Sequence, residues 1–297
     1  MTETDYTKLI KDATHVGTFS HEDPEWHELR KGKIGGSMVG TIAGLNKWES
    51  AVTAFYKFTG QIDDAIEDSP AMEWGRRLED PIIQKFQDEH PELTVFTDVG
   101  TWINKARDYQ LANPDGLILR DGELGVLEIK TAAYKDDWFE ESGEMRIPLY
   151  YQTQVQWYLS TLGLKFAHVA VLFSGREYME FELQANAMQQ SVDIELVEQF
   201  LEACDTKTQP DWDGSNSTYE TIRRVHPQID DTEVELGQLG VDYLEADKAL
   251  KTAFEAVTSL KSQVLAKMDK AKVGTIDGKA RFWRRSRAGG LPFLVAK

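Results

Sequence analysis

Apolar residues recur along this chain in two periods, and the switch between the periods marks out its elements. Residues 1–25 read as a polar lead-in without a clear period, and helical spacing begins at Trp26 and Leu29. Gly35-Gly36-Ser37 marks a tight backbone position before a second helix over 37–43, and Ala51, Ala54, Phe55 and Phe58 predict a third over 50–59 closed by Gly60. An acidic loop at 61–69 leads to Ser69-Pro70, an N-cap followed by a first helical residue. The helix they open carries Met72, Gly75, Leu78, Glu79, Ile82, Ile83 and Phe86. Pro81 is expected to kink that helix or to restart it with Asp80 as cap. Strand spacing covers 93–105. Asn113-Pro114-Asp115-Gly116 then leads into Leu117, Ile118 and Leu119, and the Asp121-Gly122 turn joins these to a strand over 125–130, making a hairpin.

Further on, Tyr151, Val155, Tyr158 and Leu162 line one face of a helix over 148–162. An apolar strand over 166–173, a turn at Gly175, a strand over 178–183 and a helix over 187–203 complete the unit. The alternation of strands and helices predicts an α/β domain over 1–205. Residues 206–228, rich in Asp, Thr, Ser, Gly, Asn and Pro, read as a linker. A helical and β-hairpin appendage is expected over 229–297. Its helix repeats Leu236, Leu239, Tyr243, Ala246, Leu250, Ala253, Val257, Leu260 and Val264 at heptad steps, suited to packing on its own domain, to self-association or to binding a partner. Its hairpin turns at Asp277-Gly278.

Composition narrows the class. With 297 residues, 41% hydrophobic and 28% charged, the chain is an ordinary globular one with room for a sizeable core. Its single cysteine, Cys204, permits neither an internal disulfide nor a cysteine zinc site, which fits a reducing compartment. Residues 1–10 lack an apolar signal region, and no run approaches the ~20 apolar residues of a membrane span, so a cytoplasmic protein without a membrane partner is expected. A net charge of −17 weighs against a nucleic-acid partner. Local charge matters more than the total, however, and basic residues cluster at Arg30, Lys31 and Lys33, at Arg76 and Arg77, and at Lys279, Arg281, Arg284, Arg285 and Arg287. Phe282 and Trp283 in the last cluster are able to stack on bases.

The chemistry concentrates at Pro114-Asp115 and Glu128-Ile129-Lys130. Glu128 and Lys130 are two apart on a strand and share a face, whereas Leu127 and Ile129 face the other way. Two carboxylates at the ends of adjacent strands are hard oxygen ligands for one Mg²⁺, the carbonyl of Ile129 is an additional ligand, and Lys130 can touch an attacking water. Taken alone, Asp115-Gly116 also suits a plain turn, and Glu128 with Lys130 a solvated strand face.

Six short motifs in order resolve this. Trp26-x-x-Leu29-Arg30, Ile34-Gly35-Gly36-Ser37, Gly75-x-x-Leu78-Glu79, Asn113-Pro114-Asp115-Gly116, Glu128-Ile129-Lys130 and Tyr151-x-x-Gln154-Val155-Gln156 resemble the YqaJ/lambda-exonuclease family of viral recombinases, within the PD-(D/E)XK nuclease superfamily. The resemblance covers about residues 20–185. It implies a mixed central β-sheet flanked by helices, a restriction-endonuclease-like core, and dependence on Mg²⁺, with Mn²⁺ able to substitute. It also implies 5′→3′ digestion of double-stranded DNA ends for recombination with a single-strand annealing protein, a phage or prophage origin with action in the host cytoplasm, and a homo-oligomer such as a trimer. Carried over by position, Asp115, Glu128 and Glu79 are metal ligands with the Ile129 carbonyl, Lys130 activates water, and Gln154 places the nucleophile or the scissile phosphate. Arg30 and Ser37 are 5′-phosphate contacts. Asn113, where some relatives have Ser, holds a third such position. Other PD-(D/E)XK activities, internal cutting or single-strand digestion of the RecB type, share the same metal site. A non-catalytic DNA-end-binding protein on this fold is the alternative from another class. No phosphate loop with Lys-Ser/Thr and no His-x-x-x-His spacing supports an ATPase or a zinc hydrolase.

Overall fold

In the computed structural model, residues 6–20, 23–63, 69–140, 142–287 and 289–296 are described. The chain begins with a 3₁₀ turn (Tyr6–Leu9) and β1 (Ala13–Gly17), followed by helices α1 (Pro24–Arg30), α2 (Gly36–Ile42), α3 (Ala51–Phe58) and α4 (Pro70–Glu89). Strands β2 (Thr94–Phe96), β3 (Thr101–Asn104), β4 (Leu111–Ala112), β5 (Gly116–Arg120) and β6 (Glu123–Ala132) precede α5 (Leu149–Leu162). Then come β7 (Phe166–Phe173), β8 (Glu177–Gln184), α6 (Ala187–Asp205) and α7 (Asn216–Val225).

The central sheet has the order β2-β5-β6-β7-β8. The β6–β7 pair is parallel and the other pairs are antiparallel. The β5–β6 hairpin closes at Asp121-Gly122, whose φ values of 52° and 85° are the double left-handed signature that Asp-Gly supplies. A parallel pair cannot be joined by a tight turn, and α5 is the crossover from β6 to β7. Alternate residues of these strands serve two cores. Val126, Val169 and Val171 pack in the larger one with Val155 and Trp157 of α5. Leu127, Ile129 and Ala170 pack against Ile82, Ile83 and Phe86 of α4. Strand β6 is therefore covered on both faces, and its Glu128 and Lys130 do not form a solvated strand face.

Several expectations change. The lead-in contains β1, which pairs antiparallel with β3 in a separate three-stranded sheet. The strand foreseen over 93–105 is two strands in different sheets, because Asp98 and Gly100 turn the chain between them at φ 52° and 72°. Helix α4 runs through Pro81 without restarting. Residues 206–228 include α7, whose Ser217 and Thr221 hydroxyls lie 2.8 Å from Thr53 Oγ1 of α3. Residues 64–68 of the acidic loop, residues 1–5 of the lead-in and His21 lie outside the described residues.

The chain divides into two units, Met1–Pro227 and Gln228–Lys297. The second holds α8 (Gly237–Met268) and strands β9 (Val273–Ile276), β10 (Lys279–Arg285) and β11 (Phe293–Ala296), in sheet order β11-β10-β9. The expected two-stranded hairpin thus gains a third strand, and Met268 at the helix end lies beside Gly274. Leu239, Tyr243, Leu250 and Leu260 on the heptad face of α8 are exposed among the described residues. No helix among the described residues is long and apolar enough to cross a membrane.

Candidate active site

The alternation of β6 sends Glu128 and Lys130 toward α5. Glu128 is 1% exposed, and its Oε1 accepts hydrogen bonds from Lys130 Nζ at 2.5 Å and from Gln154 Nε2 at 2.6 Å. Gln154 Nε2 also lies 3.2 Å from the hydroxyl of Tyr158, one turn further along α5. Lys130 Nζ sits 5.0 Å from the centre of the Tyr151 ring. Asp115 stands one residue before β5, and its Oδ2 accepts the Ile129 backbone N–H at 2.7 Å, so this side chain takes the place of a ladder bond on β6. Glu79 arrives from α4. Gly75, one turn earlier on that helix, faces the Thr131 hydroxyl of β6.

Electrostatics bind these groups into one centre. Burial, with repulsion from Asp115, pushes the Glu128 carboxyl up to about 8 against the pull of Lys130. Burial, followed by repulsion from Asp115 and Asp80, raises Glu79 to about 7. Burial also raises Asp115, opposed by Lys130 and by the Ile129 N–H. For Lys130, burial disfavours the charge, but Glu128 and Asp115 outweigh it and hold the ammonium above its ordinary range. The protons of such a cluster belong to the group as a whole. The other oxygen of Glu128, Oε2, is buried without a hydrogen-bond partner. A buried acceptor left bare costs about 1–3 kcal/mol, more for a charged group. A divalent cation fits this donor set, because hard carboxylate oxygens suit Mg²⁺ and a bare Oε2 is the atom it would engage.

A second cluster adjoins the first. The guanidinium of Arg30 lies over the Trp26 ring at 4.4 Å and fills the space beside Gly35, where a Cβ would lie 2.8 Å from its nitrogen. At Gly36 a Cβ would meet Tyr158 at 2.7 Å and the Gln154 carbonyl oxygen at 3.0 Å. The Gly-Gly pair therefore joins Arg30 to Gln154 and Glu128 through direct contacts. Ser37 is exposed in the first turn of α2, whereas the Oδ1 of Asn113 accepts the Thr101 hydroxyl at 2.5 Å, so the Asn113 carbonyl is engaged within the protein. Sequence reading assigned Tyr158 only to an apolar helix face. Its position four residues after Gln154 is the signal for its contact.

Residues 25–165 match the model of the YqaJ-like viral recombinase domain. All nine residues carried over from the family resemblance lie inside that segment. The chain is 27% identical over 277 residues to the uncharacterized protein YqaJ of Bacillus subtilis (strain 168), covering 88% of this chain and 82% of that one. Among solved structures it is similar to an alkaline exonuclease from Laribacter hongkongensis, with TM-score 0.49 and 18% identity over 62% of this chain and 94% of that chain. It is also similar to a phage-related exonuclease from Haemophilus somnus 129PT, with TM-score 0.46 and 13% identity over 59% of this chain and 94% of that one.

Proposed function

We propose that this YqaJ-like domain is a Mg²⁺-dependent deoxyribonuclease that resects double-stranded DNA ends 5′→3′, leaving tails for a single-strand annealing protein, in the cytoplasm and as an oligomer. The observation that carries the reading is the bare, buried Oε2 of Glu128 beside Asp115, Glu79 and Lys130. Glu79, Asp115 and Glu128, with the Ile129 carbonyl, would hold the cation, and Mn²⁺ would serve in place of Mg²⁺. Bound there, the cation supplies charge neutralisation at a phosphate and acidity at a water. The protein's own groups supply the rest. Lys130 holds a fixed positive charge beside the reacting phosphate and orients the attacking water. Gln154 keeps Glu128 aimed and lines the same space. Arg30 and Ser37, with a minor part for Asn113, take the terminal 5′ phosphate, a task to which the guanidinium fork is suited.

The test is digestion of linear duplex DNA with a 5′ phosphate on one end and a hydroxyl on the other. Selective loss of the phosphorylated strand, abolished by EDTA and reduced on the order of 10²-fold or more by Lys130→Ala, is expected. Cutting of a closed circle would make the chain an endonuclease with the same centre. DNA binding without any Mg²⁺-dependent cutting would leave a non-catalytic end-binding protein. Light scattering with and without DNA tests the oligomer, since a monomer mass at micromolar concentration would overturn it.

A further inference from the structure

On the opposite face of the central sheet, three side chains distant in sequence converge. His90 follows the last residue of α4, His168 lies on β7 and Glu180 on β8. Their ligand atoms all lie within 4.8 Å of one another. We propose that His90, His168 and Glu180 form a second metal site, for Zn²⁺ or a similar borderline cation, that pins the end of α4 to the sheet.

Three features carry this. First, two imidazole nitrogens and a carboxylate oxygen are a donor set that suits Zn²⁺ rather than Mg²⁺. Second, His168 is 7% exposed and its Nε2 is buried without a hydrogen-bond partner. Glu182 Oε2, 3.8 Å from that atom, is a candidate for the fourth position alongside water. Third, the outer contacts match those of metal ligands. His90 directs Nε2 toward Glu180 Oε2 at 2.5 Å while its Nδ1 lies 3.2 Å from Glu92, and Glu180 Oε1 accepts the Tyr178 hydroxyl at 2.6 Å. A carboxylate on the far nitrogen of a histidine and a hydrogen bond on the far oxygen of a carboxylate orient such ligands. Phe86, whose ring centre is 5.4 Å from that of His168, walls the site on the α4 side.

The proposal does not depend on the nuclease reading, and its test separates the two. Full-length protein is stripped with chelator and titrated with Zn²⁺ alone and with Co²⁺ alone, following bound metal by mass spectrometry and visible Co²⁺ absorption. The expected result is one Zn²⁺ per chain with a raised melting temperature, retained in Glu128→Gln. Affinity should fall at least tenfold in Glu180→Gln and His168→Gln and about tenfold in Tyr178→Phe. Circular dichroism checks the fold, and Glu180→Gln decides if the buried His168 variant fails to fold. Absence of micromolar binding in the wild type would overturn the site and leave His90 as an imidazolium between Glu180 and Glu92. Binding unchanged in Glu180→Gln, or lost in Glu128→Gln, would overturn it as well.

Discussion

At the scale of single residues, the candidate active site is a set of acids that hold protons too tightly to be at ease without a cation. Glu79 and Glu128 rise from an ordinary 4.5 to about 7 and about 8, with burial the leading cause for both. The folded state then binds more protons than the unfolded state between those limits. The stability these two groups contribute is full below about 4.5 and is lost as pH rises toward 8. Melting of EDTA-treated protein should therefore fall between pH 6 and pH 9, and Glu128→Gln, neutral at both, should flatten the fall. Mg²⁺ must displace the same protons, so its affinity should rise over that range, as calorimetry in two buffers would read. A Glu128→Gln protein with an undiminished slope would mean that groups outside this centre govern the pH response.

At the scale of elements, α2 and α5 meet where the two clusters join, and the contact depends on Gly36 having no side chain. A methyl there would press on Tyr158 and on the Gln154 backbone, moving the amide that holds Glu128. Gly36→Ala should cost about 1–3 kcal/mol, seen as a lower urea midpoint, and should reduce digestion at least tenfold while Mg²⁺ still binds. Full activity in that variant would mean that α5 yields without disturbing Glu128. Much of this level was legible in the sequence, because local chemistry decides it. Ser69-Pro70 caps α4, Asp121-Gly122 makes the hairpin, and the two-residue spacing of Glu128 and Lys130 sets their common face. What escaped depends on contacts remote in the chain. Strand β1 lacks a period of its own and exists through pairing with β3. Helix α7 reads as linker because its docking uses hydroxyls, Ser217 and Thr221 on Thr53, rather than an apolar stripe. His90, His168 and Glu180 show no metal spacing because three separate elements bring them together.

At the scale of the whole molecule, a chain of net charge −17 is proposed to hold DNA, and the distribution of that charge makes the proposal workable. Residues 271–297 carry seven basic residues and one acidic residue, and Lys279, Arg281, Arg284 and Arg285 lie on β10. Arg281, Arg285 and Arg287 are exposed there. The first unit has its own two cores, so a chain ending at Pro227 should fold and melt cooperatively. If the basic residues of β10 and its flanks hold phosphates, removing them should weaken duplex binding most at low salt. Each lost contact should lower the slope of log affinity against log salt by about 0.9, so three to five contacts would lower it by roughly 3–4.5. Cleavage on short duplexes at saturating concentration should survive, because the carboxylate centre lies wholly in the first unit. Equal slopes for the two chains would remove the second unit from DNA binding. Loss of cleavage at saturation would instead make it part of the catalytic assembly, through the oligomer that the exposed heptad face of α8 would suit.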